Sequence, residues 1–323
     1  MALSIPKWNT FIIPIILTSN IERCLETIYK YTEKNSFYVY IIDQTVKGLD
    51  ATRLRNRYEN LMVIRTPKSD LHYTGNLGFA QATNLGISLV QTPYFTMLND
   101  DVELVHADWW QGVLDTFDQV EKATPESPAV MVCPASIRLA DWSVGRPDGD
   151  NFDILPYKEQ YTDKEYHHLV HDEHYINEHL TLKPDSVIDG VTMYACVCNT
   201  RRFLEVGMLD ERYFPGGGED YDYSCLARMK NFRSVATTKS WVFHHWSSSF
   251  RAMRDELEDV KSLKTPELHW NHNHEKWGEN FDIWGVKCSQ CGTRMSTTDG
   301  KIAHCPEHPD ETYEMPESMI MPL

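Results

Sequence analysis

Tyr94-Phe95-Thr96-Met97-Leu98 runs directly into Asn99-Asp100-Asp101 and then Val102-Glu103. An apolar, β-favouring run of that length reads as a buried strand, and its abrupt polar end has to open onto solvent or a ligand. In an open α/β sheet, ligands bind beyond the carboxyl ends of strands, where loops replace the packed core. Two adjacent carboxylates there repel unless a cation, an arginine or water separates them. A hard divalent cation satisfies them and commonly brings a phosphate-bearing ligand with it. A solvated turn with aspartate capping the next helix would look the same locally.

The flanking sequence repeats the strand-then-helix rhythm. Residues 11 to 17 read as a first buried strand ending at Thr18-Ser19-Asn20, where Ser19 or Asn20 can cap a helix with Ile21, Leu25, Ile28 and Tyr29 on its apolar face. Phe37 to Ile42 reads as a second strand ending in Asp43, and Leu61 to Ile64 as a third. Asn76 to Ile87 is a glycine-punctuated helix start that leads to the central strand. Trp110, Val113, Leu114, Phe117 and Val120 form an apolar stripe, and Ala129 to Cys133 reads as another strand. Alternation of this kind implies a mainly parallel sheet with helices on both faces.

Residues 140 to 184 break the rhythm, and their Asp, Glu, His and Tyr content reads as an insertion over the site, a lid or acceptor loop. Its histidines lack ligand spacing and suit a polar surface helix. Order resumes with a strand-like run over Val187 to Cys198. Pro215-Gly216-Gly217-Gly218 then precedes Glu219-Asp220-Tyr221-Asp222. Three glycines let the backbone turn tightly and approach a ligand, so these carboxylates read as more than dipole partners of a helix start. A last strand, Val235 to Phe243, ends in His244-His245, and a histidine there can share a metal with Asp101 because strand ends share one rim.

At 323 residues the chain suits one large domain with an appendage, and 41% hydrophobic content supports a substantial core. A net charge of −16 repels nucleic acid and anionic membrane at long range. No apolar run approaches the roughly 18 residues needed to span a bilayer, and Met1 to Lys7 lacks the basic start of a signal peptide. Cys24, Cys133, Cys196, Cys198 and Cys225 sit in apolar contexts as buried free thiols, which fits a reducing compartment and hence the cytoplasm.

Three separated motifs agree with one family. Asn76-x-Gly78-Phe79-Ala80-x-Ala82-x-Asn84-x-Gly86-Ile87 resembles a helix of rhamnosyltransferase-like family 2 glycosyltransferases. Asn99-Asp100-Asp101 resembles their variant of the Asp-x-Asp nucleotide-sugar motif, with Asn99 where many relatives carry Asp. Gly217-Gly218-Glu219-Asp220 with Asp222, after Gly207-x-Leu209-Asp210-Glu211-x-Tyr213-Phe214, resembles their Glu-Asp catalytic motif. His244-His245 before serines and Lys276-Trp277-Gly278 match as well.

The resemblance implies a GT-A fold over residues 1–280. Residues 1–135 would be the nucleotide-sugar half and 185–280 the acceptor half. Thr18 and Asp43 would contact the nucleoside, with Asn76, Gly78, Asn84, Asn99 and Asp100 also on the donor side. Asp101 would hold Mn or Mg, His244 would be its direct or outer ligand in preference to His245, Asp220 would be the general base, and Glu219 would position donor or acceptor. The implied reaction is an inverting hexosyl or pentosyl transfer from a nucleotide sugar to a hydroxyl of a saccharide, a lipid-linked saccharide or a hydroxymethylated nucleobase in DNA. A divalent cation stabilises charge on a leaving diphosphate, and a carboxylate base must reach the attacking hydroxyl.

Residues 281–323 form a separate tail. Cys288-x-x-Cys291 and Cys305-x-x-His308, with 13 residues between, have the spacing of a closed tetrahedral zinc site, structural in kind. Such a ribbon raises the possibility of DNA contact, which the acidic residues after His308 oppose. Two other readings compete with the enzyme: an inactive nucleotide-sugar or glycan-binding protein, and a zinc-ribbon nucleic-acid adaptor. The sequence leaves oligomeric state open.

Overall fold

The computed structural model describes residues 8–67, 76–136, 187–189, 191, 193–245, 272, 275–277, 290, 296–297, 302–304, 308, 310 and 312–314. The insertion at 140–184 lies outside the described residues, as do Cys288, Cys291 and Cys305. In chain order the elements are β1 (Asn9–Ile15), α1 (Ile21–Tyr31), β2 (Phe37–Asp43), α2 (Ala51–Arg57), β3 (Leu61–Arg65), α3 (Gly78–Ile87), β4 (Tyr94–Leu98), β5 (Val102–Leu104), α4 (Trp109–Ala123) and β6 (Ala129–Ser136). They continue with β7 (Val187–Asp189), β8 (Ala195–Asn199), α5 (Thr200–Val206), α6 (Glu219–Met229), β9 (Arg233–His244), β10 (Ser296–Thr297), β11 (Ile302–His304) and β12 (Thr312–Glu314).

Among the described residues one sheet holds nine strands in the order β3-β2-β1-β4-β8-β6-β9-β5, with β7 on β9. Its first four strands are parallel. Beyond β4 the sheet departs from the mainly parallel expectation. β8 runs antiparallel to both β4 and β6, β6 is parallel to β9, and β5 and β7 are antiparallel to β9. The reason is local. The run over 187–198 is two strands rather than one, and β8 follows a turn that sends it back against β4.

Helices cover both faces, as the alternation implied. In β1 Phe11, Ile12 and Ile13 are all fully buried, so both faces of the strand are in the core. Phe11 meets Trp109 of α4 at 5.8 Å and Phe37 at 5.6 Å, and Phe37 meets Tyr29 of α1. Successive strand residues face opposite ways, so Ile12 looks to the other side, where it touches Gly86 of α3. Phe95, in register with Thr10, shares that second face and packs on Phe203 of α5, which stacks on Tyr223 of α6. The layers are thus α1 and α4, the sheet, then α3, α5 and α6.

β9 is bent. Its first half pairs with β6 up to Pro134↔Thr237, the register then jumps to Ala135↔Trp241, and the final residues also pair with β5. A bulge of this kind re-aims a strand end. Here it delivers His244 opposite Val102. A second, three-stranded antiparallel sheet, β10-β11-β12, lies in the tail. Among the described residues no helix is long and apolar enough to cross a membrane.

Candidate active site

The acidic turn joins two distant parts of the sheet. The Asn99 N–H donates to Tyr194 O at 2.9 Å, which extends the β4–β8 ladder by one step. Two residues later Asp101 O accepts from the His245 N–H at 2.9 Å, which extends the β5–β9 ladder. β4 and β5 are neighbours in sequence, yet β8, β6 and β9 stand between them in the sheet. Asn99-Asp100-Asp101 therefore crosses the open side of a curled sheet, and the curl gathers strand ends around it. Asp100 and Asp101 are both buried there.

His244 Nε2 lies 3.2 Å from Asp101 Oδ1, and the His244 ring stacks on Tyr194 at 5.0 Å. His245, one residue on, turns instead to Glu103, with its Nε2 at 2.5 Å from Oε1. The two histidines are thereby sorted between two carboxylates. Cys24 in the first turn of α1 reports how much negative charge collects nearby. Burial pushes its thiol well up, and Asp100, Glu103 and Asp101 push it further.

Glu219 and Asp220 begin α6, behind three glycines with φ of 154°, 104° and 101°. Backbone in that region is favourable only for glycine, and the turn brings the Gly217 N–H to Glu219 Oε2 at 2.5 Å. Burial, with Asp220 as the second cause, pushes the Glu219 carboxyl up to about 8. Asp220 is also raised by burial, although its Oδ1 accepts from the Tyr221 N–H at 2.8 Å. The Cys196 thiol is raised by burial, then by Cys133 and Cys198, and then by Asp220. Asp220 thus acts on a residue two places from Tyr194, the residue that holds Asn99 and stacks on His244.

The remaining predicted donor residues have other engagements. Thr18 is exposed just past β1. Asp43 stands at the carboxyl end of β2, where Oδ1 accepts from Thr45 N–H and Oγ1 and Oδ2 accepts from Leu49 N–H and Arg65 Nη1. Four donors use the whole acceptor capacity of a carboxylate, so Asp43 organises the loop over 44–49. Asn76 Oδ1 accepts from the Gly78 N–H. Gly78 has φ of 81°, and a Cβ there would lie 3.0 Å from Phe214 and 3.2 Å from Pro215 O. Asn84 is tied to the loop before α6, accepting from Leu209 N–H and donating to Leu209 O and Glu211 Oε1. Its amide links α3 to the segment that carries Glu219 and Asp220.

Lys276 and Trp277 matched the family in sequence but carried no role there. Lys276 Nζ bridges Asp210 at 2.9 Å and Asp222 at 2.6 Å, and Trp277 Nε1 donates to Asp222 at 2.7 Å. Burial raises the Asp222 carboxyl, and Lys276 opposes that rise. Arg23 was missed, and its partner Glu103 was read only as part of the acidic end of the central strand. The available signal was a charged residue flanked by Val102 and Leu104, an alternation that points it to one face of a short strand. A cavity of about 640 Å³ lies at the opposite, amino rim of the sheet, lined by Trp8, Asn9, Tyr94 and Trp110 among others. It lacks the paired carboxylate and imidazole found at the other rim.

Among the described residues no three His, Cys, Asp or Glu side chains group to hold a metal unaided. Asp101 and His244 supply one oxygen and one nitrogen donor. That set leaves most positions of a hard divalent cation for a diphosphate and water, so the residues fit Mn or Mg held jointly with a nucleotide. His308 is half-buried; its three expected zinc partners lie outside the described residues.

No protein-family model matches the chain, and no curated protein does. Solved structures do resemble it. A mannosyltransferase from Pyrobaculum calidifontis, in complex with GDP-Man and Mn2+, is 12% identical with a TM-score of 0.47, covering 83% of this chain and 70% of that one. GalNAc-T7 with UDP, GalNAc and Mn2+ is 13% identical with a TM-score of 0.50, covering 74% of this chain and 44% of that one. This chain therefore spans less than half of GalNAc-T7. S. aureus TarS 1-349 is 10% identical with a TM-score of 0.43, covering 83% and 72%. At these identities the likeness carries the fold and nothing finer: this chain is a mixed, curled α/β sheet with the GT-A fold.

Proposed function

We propose that the protein is an inverting, metal-dependent glycosyltransferase that moves a sugar from a nucleotide-sugar donor to a hydroxyl acceptor. The observation that supports this reading is the Asp101–His244 pair beside Tyr194, just before β8, with the charge of Asp220 felt at Cys196 of that strand. Asp101 and His244 would hold Mn or Mg, whose charge stabilises a departing nucleoside diphosphate. The loop over 44–49, held by Asp43, with Thr18 and the turn at Asn76–Gly78, would seat the nucleoside. Asp220 would take the proton from the acceptor hydroxyl, and a single displacement of that kind inverts the anomeric centre. Glu219, with its raised carboxyl, would keep its proton at neutral pH and donate a hydrogen bond to sugar or acceptor.

A thermal-shift screen against nucleotide sugars, with and without Mn2+, tests the reading. One nucleotide sugar is expected to raise the melting temperature only with the metal present, and Asp101→Ala should abolish that response. Asp220→Asn should keep donor binding and lose transfer by roughly a thousandfold or more, as expected when a general base is removed. Full turnover by that variant would remove Asp220 from the role. Two neighbours are described with Mn2+ and a nucleotide or nucleotide sugar, which guides the choice of UDP- and GDP-linked donors. The acceptor class stays as the sequence framed it: saccharide, lipid-linked saccharide or hydroxymethylated nucleobase.

Structural zinc in the tail remains part of the proposal. The register Ser296↔His304 makes the chain entering β10 and the chain leaving β11 depart from the same end of their pair. In sequence Cys291 precedes β10 and Cys305 follows β11, an order that suits two zinc knuckles. Metal analysis of purified protein should find about one zinc per chain, lost in Cys288→Ser. A zinc-free preparation with the same melting behaviour would reject the site.

A further inference from the structure

Glu103 stands in the middle of β5 between Val102 and Leu104, and its side chain is only 2% exposed. A carboxylate so deeply placed needs compensation, and among the described residues His245 and Arg23 both meet it on one oxygen. Oε1 lies 2.5 Å from His245 Nε2 and 3.0 Å from Arg23 Nε. An apolar residue of similar size fills such a place at least as stably when packing is the only demand. The ion cluster is therefore better explained by what it aligns. His245 is held at two points, its ring by Glu103 and its N–H by Asp101 O. His244, in β9, is paired with Val102 and immediately precedes that clamp. Leu104 N–H donates to Thr27 Oγ1 at 3.1 Å, so α1, which carries Arg23, is pinned to the same short strand.

We propose that Glu103, clamped by His245 and Arg23, is a positioning residue that sets where the His244 ring stands relative to Asp101, and so sets affinity for a divalent cation. The inference rests on reading Asp101–His244 as the cation site. Side chains that orient a metal ligand without touching the metal typically change affinity by about 10–100-fold when removed.

Mn2+ binding in the presence of UDP or of GDP, followed by electron paramagnetic resonance of the free ion, tests the proposal, with circular dichroism and melting temperature as folding controls. Glu103→Ala is expected to raise the apparent Kd for Mn2+ about tenfold or more. Glu103→Gln should stay within about threefold of the unsubstituted protein, because both donors converge on one oxygen and an amide oxygen accepts two hydrogen bonds. Where Glu103→Ala does not fold, Arg23→Met, altered on the half-exposed side of the cluster, should still weaken Mn2+ severalfold. A folded Glu103→Ala or Arg23→Met that binds Mn2+ as tightly as the parent overturns the positioning role alone. Absence of Mn2+ binding by the parent protein overturns the cation-site reading, and the proposal with it.

Discussion

Glu219 and Asp220 occupy adjacent positions in the first turn of α6, and their ionisation sets a pH dependence. An unfolded glutamate titrates near 4.3, whereas burial and then Asp220 push folded Glu219 up to about 8. Between those values the folded state keeps a proton that the unfolded state has released. Stability is thus lost as pH rises through that window. Glu219→Gln removes the effect. Its melting temperature relative to the parent is expected to be higher at about pH 9 than at about pH 5, by roughly 3 °C or more. A pH-independent difference would contradict the assigned burial. Asp220→Asn, lacking the second cause, should bring Glu219 titration back toward the ordinary range, as seen by carbon NMR of the carboxyl. The identities of both acids were readable beside Gly216–Gly218, but their environment was not, because burial depends on α6 packing under the sheet.

Among elements, α4 and β9 illustrate how close packing positions a site. A Cβ on Gly112 would lie 2.1 Å from Lys239 O, a backbone atom of the β9 bulge. A Cβ on Gly86 would lie 2.4 Å from Ile12 Cγ2, a side-chain atom. Alanine gains up to about 1 kcal/mol of helix propensity over glycine, while overpacking costs about 1–3 kcal/mol. Backbone yields less than a side chain, so Gly112→Ala should destabilise by about 3 kcal/mol and Gly86→Ala by about half that. Denaturant midpoints would rank them, and the reverse order would place the tighter contact at α3. β1, β2, β3, α3, β4 and β9 were legible within two residues at their ends, whereas β6 runs three residues past Cys133. Asn20 does precede α1, but its side chain makes no capping bond and accepts instead from Arg23 Nη2 at 3.4 Å. In α4 the core ring is Trp109, with Trp110 only partly buried beside it. β5 escaped detection because three residues offer a single alternation, too short to mark a strand by itself.

Across the whole molecule, Lys276 ties the segment at 275–277 to α6 and to the loop before it by bridging Asp210 and Asp222. Burial alone would raise Asp210, but Arg212 and Lys276 outweigh it and hold it well below the carboxylate range. Lys276→Met leaves both acids without that cation, at a cost of about 2–4 kcal/mol near neutral pH. The loss should shrink in acid, where protonation removes the uncompensated charge; a loss unchanged down to about pH 4 would assign Lys276 a packing role instead. The chain's local chemistry determined the alternation of strands and helices, the apolar core positions and the sites where carboxylates follow a strand or a glycine turn. Those features depend on residues a few places apart. The resemblance favoured His244 for Asp101, but only the tertiary structure turned His245 to Glu103, 142 positions away. That sorting follows from antiparallel pairing of β5 with a bulged β9, and no local pattern encodes which strands close a curled sheet or in what register they meet.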